Sequence, residues 1–297
     1  MAPIKPSIMI FIRPLTFVVF FFSSLTSMSL NAQPIKYIDN TDSVDKHGAY
    51  FISVLKLALE KSKVKYGDYA IEGVPVAMRQ ERQFKSIESG LIDLMWTVTS
   101  TRREENALAI RIPLLKGLIG HRVLVINKTK EASFANIKSL AQLAELSAIQ
   151  GHDWPDVYVL ENAGLKVEKT ISHSSMYKLV AGNIVDYFPR SLLEVIEEME
   201  SNGDDSLIID PHHLLVYPSA IYFFVTKQNK QLAERIKFGL KAALADGSFD
   251  THFYAYPGHS KALQQIPVDN RIIFRLENPI MSNSTPIQDK SLWLNLN

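Results

Sequence analysis

Apolar positions recur along this chain with two different periods. Between residues 49 and 62, Ile52, Leu55 and Leu59, with Val54 and Ala58 alongside, fall at the three-to-four spacing of one helical face. Residues 229–245 repeat that spacing over a longer run, which Asp246 and Gly247 end. Residues 191–201 place Leu192, Val195, Ile196 and Met199 on one stripe, with Ser191 as the expected N-cap. A further helix is expected over 137–146. Short apolar runs bounded by turn residues predict strands at 35–38, 74–78, 121–126, 207–209 and 220–226. Polar loops are expected over 39–46, ahead of Gly48, and over 128–133. Residues 271–297 contain Pro279 and Pro286 and little periodicity, so an irregular extension that wraps a lobe is expected there.

Two segments look like copies of one pattern. Residues 84–96 run from Phe84 through Gly90 and Asp93 to Trp96; residues 176–188 run from Met176 through Gly182 and Asp186 to Phe188. Each reads as a short helix stopped by Gly, then an apolar strand with Asp near its start. Glycine after a last helical turn supplies the left-handed cap, and apolar strands between helices predict parallel sheets covered on both faces. The repetition predicts an α/β protein of two similar lobes. The large lobe is expected to hold 33–119 and 218–297, and the small lobe 120–217, with crossings near 118–121 and 215–219.

The N-terminus changes the picture of where the chain works. Lys5 and Arg13 are followed by an apolar core at 15–22 and small, polar residues at 23–32. That order is a secretory signal peptide, with cleavage expected after Ala32 and Gln33 as the first mature residue. Cleavage lowers Lys+Arg from 32 to 30 against 31 Asp+Glu. A near-neutral chain has no bulk attraction to nucleic acid or an anionic membrane. The absence of cysteine excludes disulfides, thiol catalysis, Cys-based zinc sites and a lipid-bearing cysteine at the cleavage point. A 46% hydrophobic composition supplies a core without such staples.

The most specific motif follows the first copy: Thr97-Val-Thr99-Ser-Thr-Arg102, then Arg103 and Glu104. With the Gly-x-x-Asp strand before it and the apolar segment from Ile112 to Gly120 after it, this stretch resembles family 3 of the bacterial extracellular solute-binding proteins, the amino-acid-binding type. The likeness covers about residues 80–255. It extends through 139–151, 220–227, Gln231-Leu-Ala and Asp246-Gly-Ser. The resemblance implies a type II periplasmic-binding-protein fold with ligand held in the cleft between lobes. It further implies that Thr97, Thr99 and Arg102 lie on the large-lobe side of that cleft.

Physical chemistry points to the same turn. Ligands bind beyond the C-terminal ends of strands in open α/β sheets, and a guanidinium there can grip a carboxylate with two parallel hydrogen bonds. Arg102 could instead pair with Glu104 or Glu105; Arg103 is expected to face the other way. In the second copy the family places an aspartate near position 191, where this chain has Ser191 beside Arg190. Arg190 either adds a second anion site or pairs with Glu194, four residues on. The loop Gly151-His152-Asp153-Trp154-Pro155 opens a helix. The resemblance makes it a source of ligand contacts, with Trp154 stacking on the ligand; otherwise Trp154 is core and Asp153 a cap. Arg102 and Arg190 are thus expected to face each other across the cleft.

Catalytic signatures are missing. No Gly-x-Ser-x-Gly, His-Glu-x-x-His or phosphate loop occurs. His212 and His213, adjacent on a strand, point to opposite faces and do not share a metal. Two function classes stand. One is a periplasmic, monomeric binding protein for a small carboxylate-bearing polar solute, with no cofactor or metal. It would serve a membrane transporter or a sensor. The other is an enzyme on the same scaffold, dehydratase-like, for which only His152, Asp153 and Glu72 are placed to act as acid or base.

Overall fold

The structure is a computed structural model that describes residues 1–3, 34–39, 48–76, 78–202, 204–294 and 296. The expected leader, its cleavage point at Ala32 and Gln33, most of the 39–46 loop and His47 lie outside the described residues. Residues from Ala32 to Asn297 form one compact unit. Its first elements are β1 (Ile35–Ile38), α1 (Gly48–Tyr66), β2 (Ile71–Val74), α2 (Gln80–Glu88), β3 (Leu94–Val98), α3 (Thr101–Asn106) and β4 (Leu108–Ile110). Next come β5 (His121–Asn127), α4 (Glu131–Phe134), α5 (Leu140–Leu143), β6 (Ser147–Gly151), α6 (Asp156–Asn162) and β7 (Lys166–Thr170). They are followed by α7 (His173–Ala181), β8 (Tyr187–Ser191), α8 (Val195–Asn202), β9 (Leu207–Ile209) and β10 (His213–Val216). The chain ends with β11 (Ile221–Val225), α9 (Lys230–Ala245), α10 (Ser248–Ala255), α11 (Pro257–Gln265) and β12 (Ile272–Arg275).

Two layered regions result. In the first, β1 pairs with β2 in parallel, and β11 lies between β3 and β4, antiparallel to both. In the second, the order is β12-β10-β5-β8-β6-β7, with β9 also on β5. There β5 is antiparallel to β8, β9 and β10, while β6 is parallel to β7 and β8. Each region therefore has one reversed strand, β11 or β5, and each of these is the first strand after the chain crosses from the other region.

The two sequence copies occupy equivalent places. The Asp93 carboxylate accepts from the Lys36 N–H at 2.8 Å, and Asp93 N–H donates to the Lys36 carbonyl at 2.8 Å. Asp186 repeats both bonds on Ser147, at 2.7 and 3.0 Å. Each aspartate thus ties the start of its strand to the neighbouring strand. Gly90 adopts the left-handed conformation expected after α2, with φ 73°. In the second copy the left-handed residue is Asn183, φ 55°, rather than Gly182.

Several expected boundaries shift. The strand expected at 74–78 lies at 71–74. The 137–146 helix is one turn, α5, started by a capping box of Ser139 and Gln142. Ser191 ends β8 instead of capping α8. The tail assignment needs correction. Strand β12 pairs with β10, so residues 272–275 join the second sheet instead of forming an irregular extension, while α11 touches both regions, through Lys261 on Glu200 of α8 and His259 against Tyr50 of α1. The chain then returns: Thr101 N–H bonds the Ile280 carbonyl at 2.9 Å, and Leu294 N–H the Lys116 carbonyl at 2.8 Å. Among the described residues no helix is long and apolar enough to cross a membrane.

Candidate functional site

Strand β3 ends at Val98, and the chain turns into α3 at Thr101. Thr97 and Thr99 point to one side, two residues apart, and both are buried. Ser100 caps α3, accepting from Arg103 N–H at 3.3 Å. The cap decides the two arginines. Arg102, second in the helix, points outward: its side chain is 66% exposed, and it holds Glu81 through two bonds of 2.7 and 3.3 Å. Arg103, third in the helix, folds back over the strand end and is 3% exposed. Its Nη1 donates to Thr97 Oγ1 at 2.7 Å and the Val98 carbonyl at 2.6 Å, and its Nη2 donates to Gln80 Oε1 at 3.2 Å.

Those partners are neutral oxygens. Among the described residues no carboxylate pairs with Arg103 at salt-bridge distance. Burial pushes its pKa down to about 10, opposed by Glu81 and, from the second region, by Asp153 and Asp156. Arg103 therefore remains a cation at neutral pH, lying against the end of β3 within the electrostatic reach of Asp153 and Asp156. The two arginines point opposite ways, but it is Arg103 and not Arg102 that lies buried against the strand end. Thr99 is committed elsewhere: its hydroxyl donates to Glu104 at 2.6 Å, and Glu104 also accepts from Arg111 at 2.7 Å.

In the second region the 151–154 loop and β8 meet. A side chain on Gly151 would lie 2.6 Å from the Trp154 ring, so only glycine lets the indole lie over that strand end. Trp154 stacks on Phe188 at 6.3 Å between ring centres and 22° between planes. The Arg190 guanidinium sits 5.0 Å from the Trp154 ring and 5.1 Å from that of Phe188, in cation–π range. Arg190 is buried and already paired. Its Nε donates to Glu198 at 2.6 Å, and its Nη2 donates to Glu194 at 3.0 Å and to the second Glu198 oxygen. The Tyr177 hydroxyl donates to Glu198 at 2.6 Å. Burial alone would raise the Glu198 carboxyl, but Arg190 overrides it and holds it well below the usual range.

A second buried arginine extends the network. Arg122 Nη2 donates to Asp156 at 2.5 Å, its Nε donates to the Tyr217 hydroxyl at 3.0 Å, and Nη1 lies 3.7 Å from Glu194. Tyr217 also donates to Asp156. His152 is 45% exposed, its ring 3.7 Å from the Asp153 carboxylate. Two arginines thus hold Asp156, Glu194 and Glu198, and Asp153 stands beside His152, an excess of acid among these side chains. Arg102 and Arg190, expected to share one ligand, each hold a carboxylate of the protein itself.

Of the residues expected at the site, Thr97 lies at the end of β3, and Gly151, Trp154 and Arg190 come together at the ends of β6 and β8. Sequence reasoning missed Arg103, Arg122, Asp156, Tyr217 and Glu198. A signal for Arg103 existed: the third residue after a Ser cap points back at the cap, where a capping-box glutamate usually sits. Of the paired histidines, His213 is core and His212 is half-buried. His213 is fully buried between Asp210 at 2.7 Å and the Ile137 carbonyl at 2.9 Å.

No family model matches the sequence, and no curated protein matches it. Solved structures do match by shape. An ancestral arginine-binding protein bound to arginine superposes with TM-score 0.54 at 19% identity, covering 70% of this chain and 87% of that one. A histidine kinase sensor domain with similarity to periplasmic binding proteins gives 0.60 at 14% identity, covering 77% and 97%. An ancestral amino-acid-binding protein, a precursor of cyclohexadienyl dehydratase, gives 0.51 at 12%, covering 69% and 82%. The chain has the two-lobed α/β fold of the periplasmic solute-binding proteins.

Proposed function

We propose that the protein is a periplasmic solute-binding protein that closes around a small, carboxylate-bearing molecule and presents it to a membrane transporter or sensor. The observation that carries this reading is Arg103, a buried cation at a strand end with no carboxylate partner among the described residues. A ligand carboxylate would complete its hydrogen bonding and charge. Residues 33–119, 218–271 and 276–297 form the large lobe in this reading; 120–217 and 272–275 form the small one.

Thr97, Gly151 and Trp154 border the ligand beside Arg103, while His152 and Asp153 stand at the rim. Arg102, Thr99 and Arg190 hold the walls through their own carboxylates. The surplus acid of the small lobe suits a ligand that also carries a cationic group, as amino acids do. Matching solved structures include an arginine-binding protein and a sensor domain, which supports the pairing of a small solute with a transporter or a sensor.

Native mass spectrometry of gently purified protein should reveal a bound small molecule. Thermal shift with a panel of amino acids, dicarboxylates and simple amines should then give a rise only for compounds that carry a carboxylate. Stabilisation by an amine without one would sink the reading.

A further inference from the structure

Strand β4 is an edge strand. It pairs with β11 on one side, and among the described residues no backbone hydrogen bond from another segment reaches its other side. A groove of about 930 Å³ is lined by β4 and the residues after it, by one face of α9 and by the tail around Pro286 and Leu292. Neither Arg103 nor Trp154 lines it. Leu108 and Ile110 of the strand give it an apolar surface, and Lys230, Lys237, Lys241 and Arg111 stand along it against Glu234 and Asp289.

The charges are not mutually cancelled. Lys237 reaches Glu234 at 3.5 Å, and Arg111 is held by Glu104. Lys230 and Lys241 enter no ion pair among the described residues. Lys237 and Lys241 are one helical turn apart, about 6 Å along the axis. Alternate residues of an extended chain are spaced by about 6.6 Å on one side.

We propose that this edge is a docking surface for an extended acidic segment of a partner protein, which adds to β4 as a further strand. The partner's backbone would take up the unpaired N–H and C=O groups of the strand. Its acidic side chains, at every second position, would meet the α9 lysines, and the intervening side chains would be apolar or small. Lysines beside an exposed edge can also serve only to repel other strands. A purely repellent edge binds no extended chain, so binding distinguishes the two roles.

The test uses a labelled peptide of alternating glutamate and valine, its lysine–valine counterpart, and a glutamate–valine peptide N-methylated at every second residue. Fluorescence anisotropy with the purified protein should show binding of the first peptide with Kd below about 1 mM, and weaker binding by tenfold or more for the other two. Lys237→Glu with Lys241→Glu, both on an exposed helix face, should reverse the preference between glutamate and lysine peptides. Hydrogen exchange should show new protection at residues 108–112. The proposal is overturned by no binding up to about 1 mM, by equal affinity for the N-methylated peptide, or by protection elsewhere with β4 unchanged.

Discussion

At the scale of residues, the candidate site is a set of buried guanidinium groups satisfied in different ways. Arg122 and Arg190 are neutralised by carboxylates, whereas Arg103 is solvated only by a hydroxyl, a carbonyl and an amide oxygen. Removing Arg103 should therefore act on ligand binding. Arg103→Ala should weaken the affinity for a bound carboxylate by about 2–5 kcal/mol, the cost of truncating a buried charged contact. Arg102→Ala breaks an exposed pair with Glu81 and should cost under about 1 kcal/mol. Calorimetry with the co-purifying ligand decides between them; equal losses would return Arg102 to the cleft. Arg190→Ala should act on stability, by about 3–5 kcal/mol, because it leaves Glu198 buried with only Tyr177 and, at 3.6 Å, His173. In the wild type the Glu198 pKa is depressed, so its contribution is present above the unfolded carboxylate range and is lost as pH falls through the lower folded value. In the variant burial acts unopposed by Arg190 and raises that pKa, so acid relieves the penalty. Urea midpoints should therefore lie further apart at pH 7 than at pH 5; an unchanged gap would mean His173 has replaced Arg190. The Thr-x-Thr-x-x-Arg spacing located this turn from sequence. It could not choose between adjacent arginines, because that choice depends on the residue at which α3 starts.

Among elements, the periodic ones were legible and the short ones were not. Helices α1 and α9 and strands β5, β9 and β11 are set by runs whose apolar period is unambiguous, and they form close to where the pattern predicts. The paired helix–Gly–strand–Asp segments were readable as copies, yet the reason for their aspartates appears only when β1 and β6 lie alongside. Strand β12 escaped notice because four residues, Ile272 to Arg275, carry too little period to separate strand from loop; its pairing with β10 makes it a strand. The contact of α1 with α9 was equally hidden. At Gly239 a Cβ would lie 1.8 Å from the Ala58 carbonyl oxygen, so the two helices touch backbone to backbone there. Gly239→Ala thus sets two effects against each other. Helix propensity favours alanine by about 1 kcal/mol, while overpacking costs about 1–3 kcal/mol or more. Clash with a backbone atom cannot be relieved by a rotamer, so the variant should be destabilised in chemical denaturation. A stabilised variant would show that α9 can slide off α1 freely.

For the whole molecule, the question is what holds the two lobes together before a ligand arrives. The two segments expected to connect the lobes run side by side, with Tyr217 N–H donating to the Gly120 carbonyl at 3.1 Å. The C-terminal part adds two more, outward before β12 and back before Ile280, which the sequence did not announce because neither carries a periodic signal. A lobe closure through such connections is governed by small forces across the cleft. Asp153 and Asp156 stabilise the charge of buried Arg103, an attraction that acts more strongly away from water than in it. The free protein should therefore populate a closed state, and a ligand should shift that population rather than create it. Salt tests the claim, because the screening length falls from about 10 Å at 0.1 M to about 3 Å at 1 M. Small-angle scattering of ligand-free protein should show a larger radius of gyration at high salt. Arg103→Ala should show that larger radius already at low salt, with little further change on adding salt. Arg102→Ala should behave as the wild type. If Arg103→Ala keeps the wild-type radius at both salt concentrations, closure rests on the apolar contacts between lobes, and the charge of Arg103 serves the ligand alone.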